Sequence, residues 1–102
     1  MRIIEKISDH ISDEINDAMC YARWALEEKE TNGSLADVLY SLSLDEAKHA
    51  TMLHNEVVRM IEQYRRDHGE PPERMLAIYE YLHKKEIDKL AEAKHYQALY
   101  KG

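Results

Sequence analysis

A chain of 102 residues that is 44% hydrophobic and 33% charged, with three glycines and two prolines, has the profile of one small long-helix domain and excludes a loop-rich or disordered architecture. Fourteen Lys and Arg against 20 Asp and Glu leave a formal charge of −6, so no broad basic surface exists to neutralise a nucleic-acid backbone. Apolar runs fall far short of the roughly 20 residues that span a bilayer, and no signal-peptide pattern opens the chain, so the expectation is a soluble cytoplasmic protein with Cys20 as a small hydrophobe.

No Gly or Pro occurs between Ile3 and Glu30, and Ile4, Ile7, Ile11, Ala18, Tyr21 and Ala25 recur at spacings of three and four, which predicts a first helix over about residues 3–30. Thr31-Asn32-Gly33-Ser34 breaks the pattern. Gly33 suits the left-handed position that ends a helix, and Ser34 suits the N-cap of the next, with Asp37 at its third position. Leu35, Leu39, Leu42, Leu53, Val57, Met60 and Tyr64 then predict a second helix over about residues 35–68, stopped by Gly69. Pro71-Pro72 imposes a non-helical joint, and Pro72 fits the first turn of a third helix reaching about Tyr100. The fold expected is all-α, an antiparallel helical hairpin plus a third helix, in one unit over residues 1–102.

A heptad placed on helix 1 gives seam positions 7, 11, 14, 18, 21 and 25, and on helix 2 positions 35, 39, 42, 46, 49 and 53. Glu14, Glu46 and His49 therefore interrupt apolar stripes. If the turn centres near Asn32, residues whose numbers sum to roughly 63 or 64 lie opposite one another, and all three polar residues fall within about one turn, or about 5 Å, of a common level. Residues three apart on a helix share a face, so Glu46 and His49 can present an oxygen and an imidazole nitrogen to one ion. A buried carboxylate without a partner costs several kcal/mol, which a metal cation offsets. Mixed carboxylate and imidazole donors suit Fe, with Mn or Zn as substitutes. The bland alternative is a hydrogen-bonded Glu–His cluster without metal.

The segments Glu14-Ile15-Asn16-Asp17-Ala18-Met19-Cys20-Tyr21 and Asp45-Glu46-Ala47-Lys48-His49-Ala50 resemble the ferritin-like superfamily, and within it the encapsulated-ferritin type. The resemblance covers about residues 5–65. It implies a di-iron centre with one iron per chain, completed by a homodimer whose two hairpins form a four-helix ferritin-like bundle, in which a Glu from each of two helices joins a Glu-x-x-His from each of the other two. It also implies a ferroxidase that oxidises Fe(II) with oxygen, in iron storage or detoxification, with Glu14, Glu46 and His49 as ligands and catalytic residues. A higher ring of dimers is compatible with it. An encapsulin nanocompartment is the partner and location that this type implies, and no docking tail is legible after Gly102. The competing functions are a rubrerythrin-like or other di-metal oxidoreductase and a non-enzymatic helical assembly module whose polar seam sets register.

Other polar and aromatic residues fall near this level. His10 and His54 lie about one turn away and could serve as outer partners of the ligands or as ordinary interfacial histidines, and Tyr21 and Trp24 near the site could accept oxidising equivalents, although helix packing is the simpler role for the two aromatics. Asp13 and Asp17 flank Glu14 off the seam and read as surface charge. Glu92-Ala93-Lys94-His95 repeats the tetrapeptide of helix 2, yet its neighbours Lys85 and Asp88 are polar, so it reads as a solvated face. Glu80 and His83, a further Glu-x-x-His nearer the stripe of Ile87 and Leu90, form the fallback metal pair.

Overall fold

The computed structural model describes Arg2–Gly102, with Ile78 described by its backbone alone. Three helices account for nearly all of it: α1 (Arg2–Glu28), α2 (Gly33–His68) and α3 (Glu73–Lys101). At about 1.5 Å per residue α2 alone is about 54 Å long, which matches the longest dimension of the molecule, 55 × 20 × 17 Å. Among the described residues no helix is long and apolar enough to cross a membrane.

The turns follow from a few side chains. After α1 the backbone closes with Asn32 N–H donating to Glu28 C=O at 2.7 Å. The Asn32 side chain then accepts from Leu35 N–H at 3.2 Å, so Asn32 is the N-cap of α2. The expected cap at Ser34 and left-handed Gly33 are not what forms. Gly33 and Ser34 are the first helical residues, because an Asn two positions earlier already reaches the orphan amide, and only Gly69 (φ 83) and Gly102 (φ 89) have positive φ among the described residues. Gly69 ends α2 as expected, its N–H donating to Arg65 C=O at 3.0 Å. Pro72, in extended conformation (φ −53, ψ 138), caps α3 from just outside rather than within its first turn.

α1 is the shared helix. α2 packs against it antiparallel and α3 packs against it parallel, while α2 and α3 meet far less. Parallel pairing of α1 and α3 is visible in Lys89 Nζ donating to Asn16 Oδ1 at 2.9 Å and Lys29 Nζ donating to the Tyr100 carbonyl at 2.6 Å, pairs separated by nearly equal stretches of chain. The bundle is thus an L in section, with α1 at the corner and an open groove between α2 and α3.

Ile11, Ala18 and Ala25 bury as expected of the α1 seam, whereas the arrangement corrects the seam of α2. The buried positions of α1 are Ile4, Ser8, Ile11, Ile15, Ala18, Ala22 and Ala25, and those of α2 are Ala36, Ser43, Ala50, Val57 and Ile61. Leu35 and Leu42, expected in the seam, are 42% and 38% exposed. α1 must face two neighbours at once, so its buried stripe is centred between them, and small residues carry the close contacts. Larger apolar residues are displaced to the flank of the hairpin that α3 leaves free. One buried relay joins all three helices: Gln97 Nε2 donates to Ser43 Oγ at 2.9 Å, and Ser43 Oγ donates to the Ala18 carbonyl at 2.6 Å.

Candidate metal centre

The register that the Ser43–Ala18 hydrogen bond holds also sets Glu14 of α1 opposite Glu46 and His49 of α2. One donor atom from each lies within 4.8 Å of the other two. The three sit on the free flank of the hairpin, away from α3. Glu14 is well enclosed, its side chain 12% exposed, with Oε1 at 2.8 Å from His10 Nε2. Its Oε2 is buried without a hydrogen-bond partner. Glu46 is partly buried and His49 is exposed at the rim. An orphaned carboxylate oxygen in a cluster of O and N donors is a set that a cation would satisfy, since leaving such an oxygen unpaired costs about 1–3 kcal/mol or more.

Among the described residues His10 is the outer partner that touches this cluster, through Glu14. Tyr21 and Trp24 form an edge-to-face pair, ring centroids 5.9 Å apart at 71°, further along the same flank toward the turn. Trp24 is 43% exposed and shares that flank with Leu35 and Leu42. Asp13 and Asp17 are exposed, and Cys20 is a partly buried free thiol.

His54 does not join this cluster. Five residues beyond His49, it lies about 140° further round α2 and faces α3, where it meets His83 and Glu86 with donor atoms again within 4.8 Å of one another. The fallback pair is corrected by the same geometry. Glu80 is exposed and lines a separate recess with Val58 and Glu62, whereas His83 turns to His54 and Glu86. Glu92 and His95 are both exposed.

The imidazoles of His54 and His83 are stacked, centroids 4.5 Å apart at 18°, with Tyr79 nearly parallel to His83 at 5.5 Å. Glu86 is only 6% exposed. Burial pushes its carboxyl up to about 7, so desolvation holds it far above the usual carboxylate range. Burial, and then the neighbouring His83, lowers His54, while burial, and then Glu86, raises Tyr79. Glu86 was not legible as a site residue, because a search for Glu-x-x-His passes over the reversed order His83-x-x-Glu86. The signal that could have found it is antiparallel pairing about the Pro71-Pro72 joint, which sets residue 86 opposite residue 54.

Comparisons of the chain with protein-family models, with curated proteins and with solved structures return no match.

Proposed function

We propose that Glu14, Glu46 and His49 are half of a di-iron centre, that a second copy of the chain supplies the other half by docking its own α1–α2 hairpin, and that the assembled site oxidises Fe(II) with oxygen. The observation that carries this reading is the convergence of two carboxylates and an imidazole on a flank that no other helix of the chain covers. The orphaned Oε2 of Glu14 fits a cation there. Hard carboxylate oxygens suit both oxidation states of iron, and imidazole adds affinity for Fe(II) over Mg or Ca.

The residues divide the work. Glu14 and Glu46 bring negative charge to the ion, His49 binds it as neutral imidazole, and His10 holds Glu14 in place through Oε1. Iron here is the substrate, and each Fe(II) gives up one electron to dioxygen. The formal charge of −6 favours cation approach. Trp24, Leu35 and Leu42, exposed on the same flank, supply apolar area for a two-fold contact, the commonest way for identical chains to meet. Storage or detoxification of iron is the role that such an activity serves.

A second reading has its own support: the His10–Glu14 contact partly satisfies the carboxylate, as a register-setting polar cluster in a helical assembly module would require. Iron analysis separates the two. The ferroxidase reading expects about one iron per chain, a dimer in sedimentation that dissociates on chelation, and loss of both iron and Fe(II) oxidation in Glu46→Ala or His49→Ala. A monomer with full activity would refute the shared site, and unchanged iron content in both variants would remove these residues from the chemistry.

A further inference from the structure

The groove between α2 and α3 contains a cavity of about 250 Å³, floored by Ile11 and Ile15 of α1 and walled by His54 on one side and by His83 and Glu86 on the other. Ala50, Ile87 and Leu90 complete its apolar lining, and Thr51 and Lys94 are its other polar residues. Two polar atoms of the walls have no partner: His83 Nδ1 and Glu86 Oε1 are both buried and unbonded. Among the described residues no Lys or Arg forms an ion pair with Glu86, and the one cation on the cavity wall, Lys94, is exposed. A nine-tenths-buried carboxylate and an imidazole, both aimed into one cavity with unused donor atoms, require a partner that the chain itself does not provide.

We propose that His54, His83 and Glu86 form a second metal site, a two-histidine, one-carboxylate tripod that binds a divalent transition ion of zinc type within a single chain. Zinc is bound by His nitrogen and carboxylate oxygen at about 2.0–2.2 Å, and three protein donors with a fourth position left open is a recurrent zinc arrangement. Donor atoms around a tetrahedral ion lie about 3.4 Å apart at such bond lengths. The present spread is up to 4.8 Å, and because His83 and Glu86 stand one turn apart on α3 and share a face, side-chain rotation is the movement that would close it. The stack of His54, His83 and Tyr79 limits the orientations of the rings, their planes lying 15° to 21° apart, and so reduces the ordering required on binding. The open position would face the cavity, which has room for water or a small ligand. Two imidazoles and one carboxylate favour zinc over the carboxylate-rich set on the opposite flank of α2, so the chain carries two sites of different preference.

The site is independent of the dimer-shared centre, and the test uses that. Zinc binding is measured by equilibrium dialysis on the full-length His49→Ala protein, which lacks the only imidazole of the other ligand set, and cobalt(II) absorption in the visible reports the donor geometry. The expected result is about one zinc per chain, an affinity unchanged across a wide range of protein concentration, and a cobalt spectrum of low-coordinate type. Adding His83→Ala or Glu86→Gln should weaken binding by about 100-fold or more, because even outer partners of metal ligands contribute about 10–100-fold. Glu86→Gln preserves side-chain shape, and helix content by circular dichroism shows that each variant is folded. Absence of zinc from the His49→Ala protein, or zinc retained at full affinity after Glu86→Gln, overturns the proposal. Affinity that rises with protein concentration overturns the single-chain site in favour of one bridging two copies. Loss of iron oxidation in His49→Ala with zinc binding intact separates failure of either site from failure of the other.

Discussion

Replacing Glu86 by Gln in metal-free protein removes a titration without removing the side chain's volume. Burial raises the Glu86 carboxyl from the usual 4.5 to about 7, and each unit of difference between folded and unfolded states is worth about 1.4 kcal/mol. The full difference is then about 3 kcal/mol, reduced toward about 2 kcal/mol because the carboxyl lines a cavity that opens to water. The sign follows from which state holds the proton. Below pH 4.5 the carboxyl is protonated whether folded or not, and the fold incurs no cost from it. Between 4.5 and about 7 the unfolded chain ionises first, so stability falls as pH rises, and above about 7 the fold carries a buried charge.

The assay is urea unfolding followed by far-ultraviolet circular dichroism, with a chelator present, for wild type and Glu86→Gln from pH 4.5 to pH 8. The variant should match wild type within a few tenths of a kcal/mol at the acid end and exceed it by about 2–3 kcal/mol at the alkaline end. Taking the difference cancels the other carboxylates. His54 lies too close to Glu86 to cancel in full, and its lowered value works in the opposite direction, adding stability as pH rises toward the unfolded value of 6.5. A difference that does not vary with pH would refute the reasoning, and one of opposite sign would mean that Glu86 is ionised and paired in the fold.

Ser43→Ala should cost about 1–3 kcal/mol in the same unfolding assay, because it leaves the buried Gln97 amide without its acceptor, and adding Gln97→Leu should recover part of that loss. The Tyr100 hydroxyl donates to Asp37, and that bond, with burial, pushes its ionisation up to about 12, so the absorbance titration of wild type minus Tyr100→Phe should show a phenol ionising near 12 that Asp37→Asn moves downward. Trp24 is the single tryptophan and lies on the flank assigned to the second copy, so its emission should shift to shorter wavelength when iron is added and return on chelation; emission insensitive to both would place any dimer contact elsewhere.

The three helices were legible because the chain punctuates itself sparsely. Nothing before Gly33 can break a helix, and Gly69-Glu70-Pro71-Pro72 cannot continue one. The level of Glu14 with Glu46 and His49 was legible for the same reason, since one tight turn sets antiparallel numbering. The rotation of the helices was not. Ala18, Ala22, Ala36 and Ala50 bury completely or nearly so, yet an alanine stripe is faint beside Leu35, Leu42 and Tyr21, which attract the eye to the wrong flank. α3 was least legible, because it buries Glu86 and Gln97 in its contact face, and the partners that make those positions tolerable belong to helices distant in sequence.

Those polar residues also answer a question that the alanines raise. Ala36, Ser43, Ala50 and Val57 recur every seven residues on α2, so a slip of α1 by one heptad, about 10 Å, would return the same face of α2 to α1 while breaking up the cluster that Ala50 and Val57 form with Ile4, Ile11 and Ile15. The seven-residue repeat by itself therefore does not single out one register. The Ser43 bond to the Ala18 carbonyl, the meeting of Glu14 with Glu46 and His49, and the meeting of His54 with His83 and Glu86 each exist in one register alone. A slipped hairpin would bury carboxylates and imidazoles against apolar neighbours, at several kcal/mol for each buried charge. Because His49 and His54 lie on opposite flanks of α2, the first cluster fixes α2 against α1 and the second fixes it against α3. A buried Glu or His that weakens the fold when unpaired thus becomes the element that specifies which fold forms, and an ion bound to either cluster would strengthen that specification.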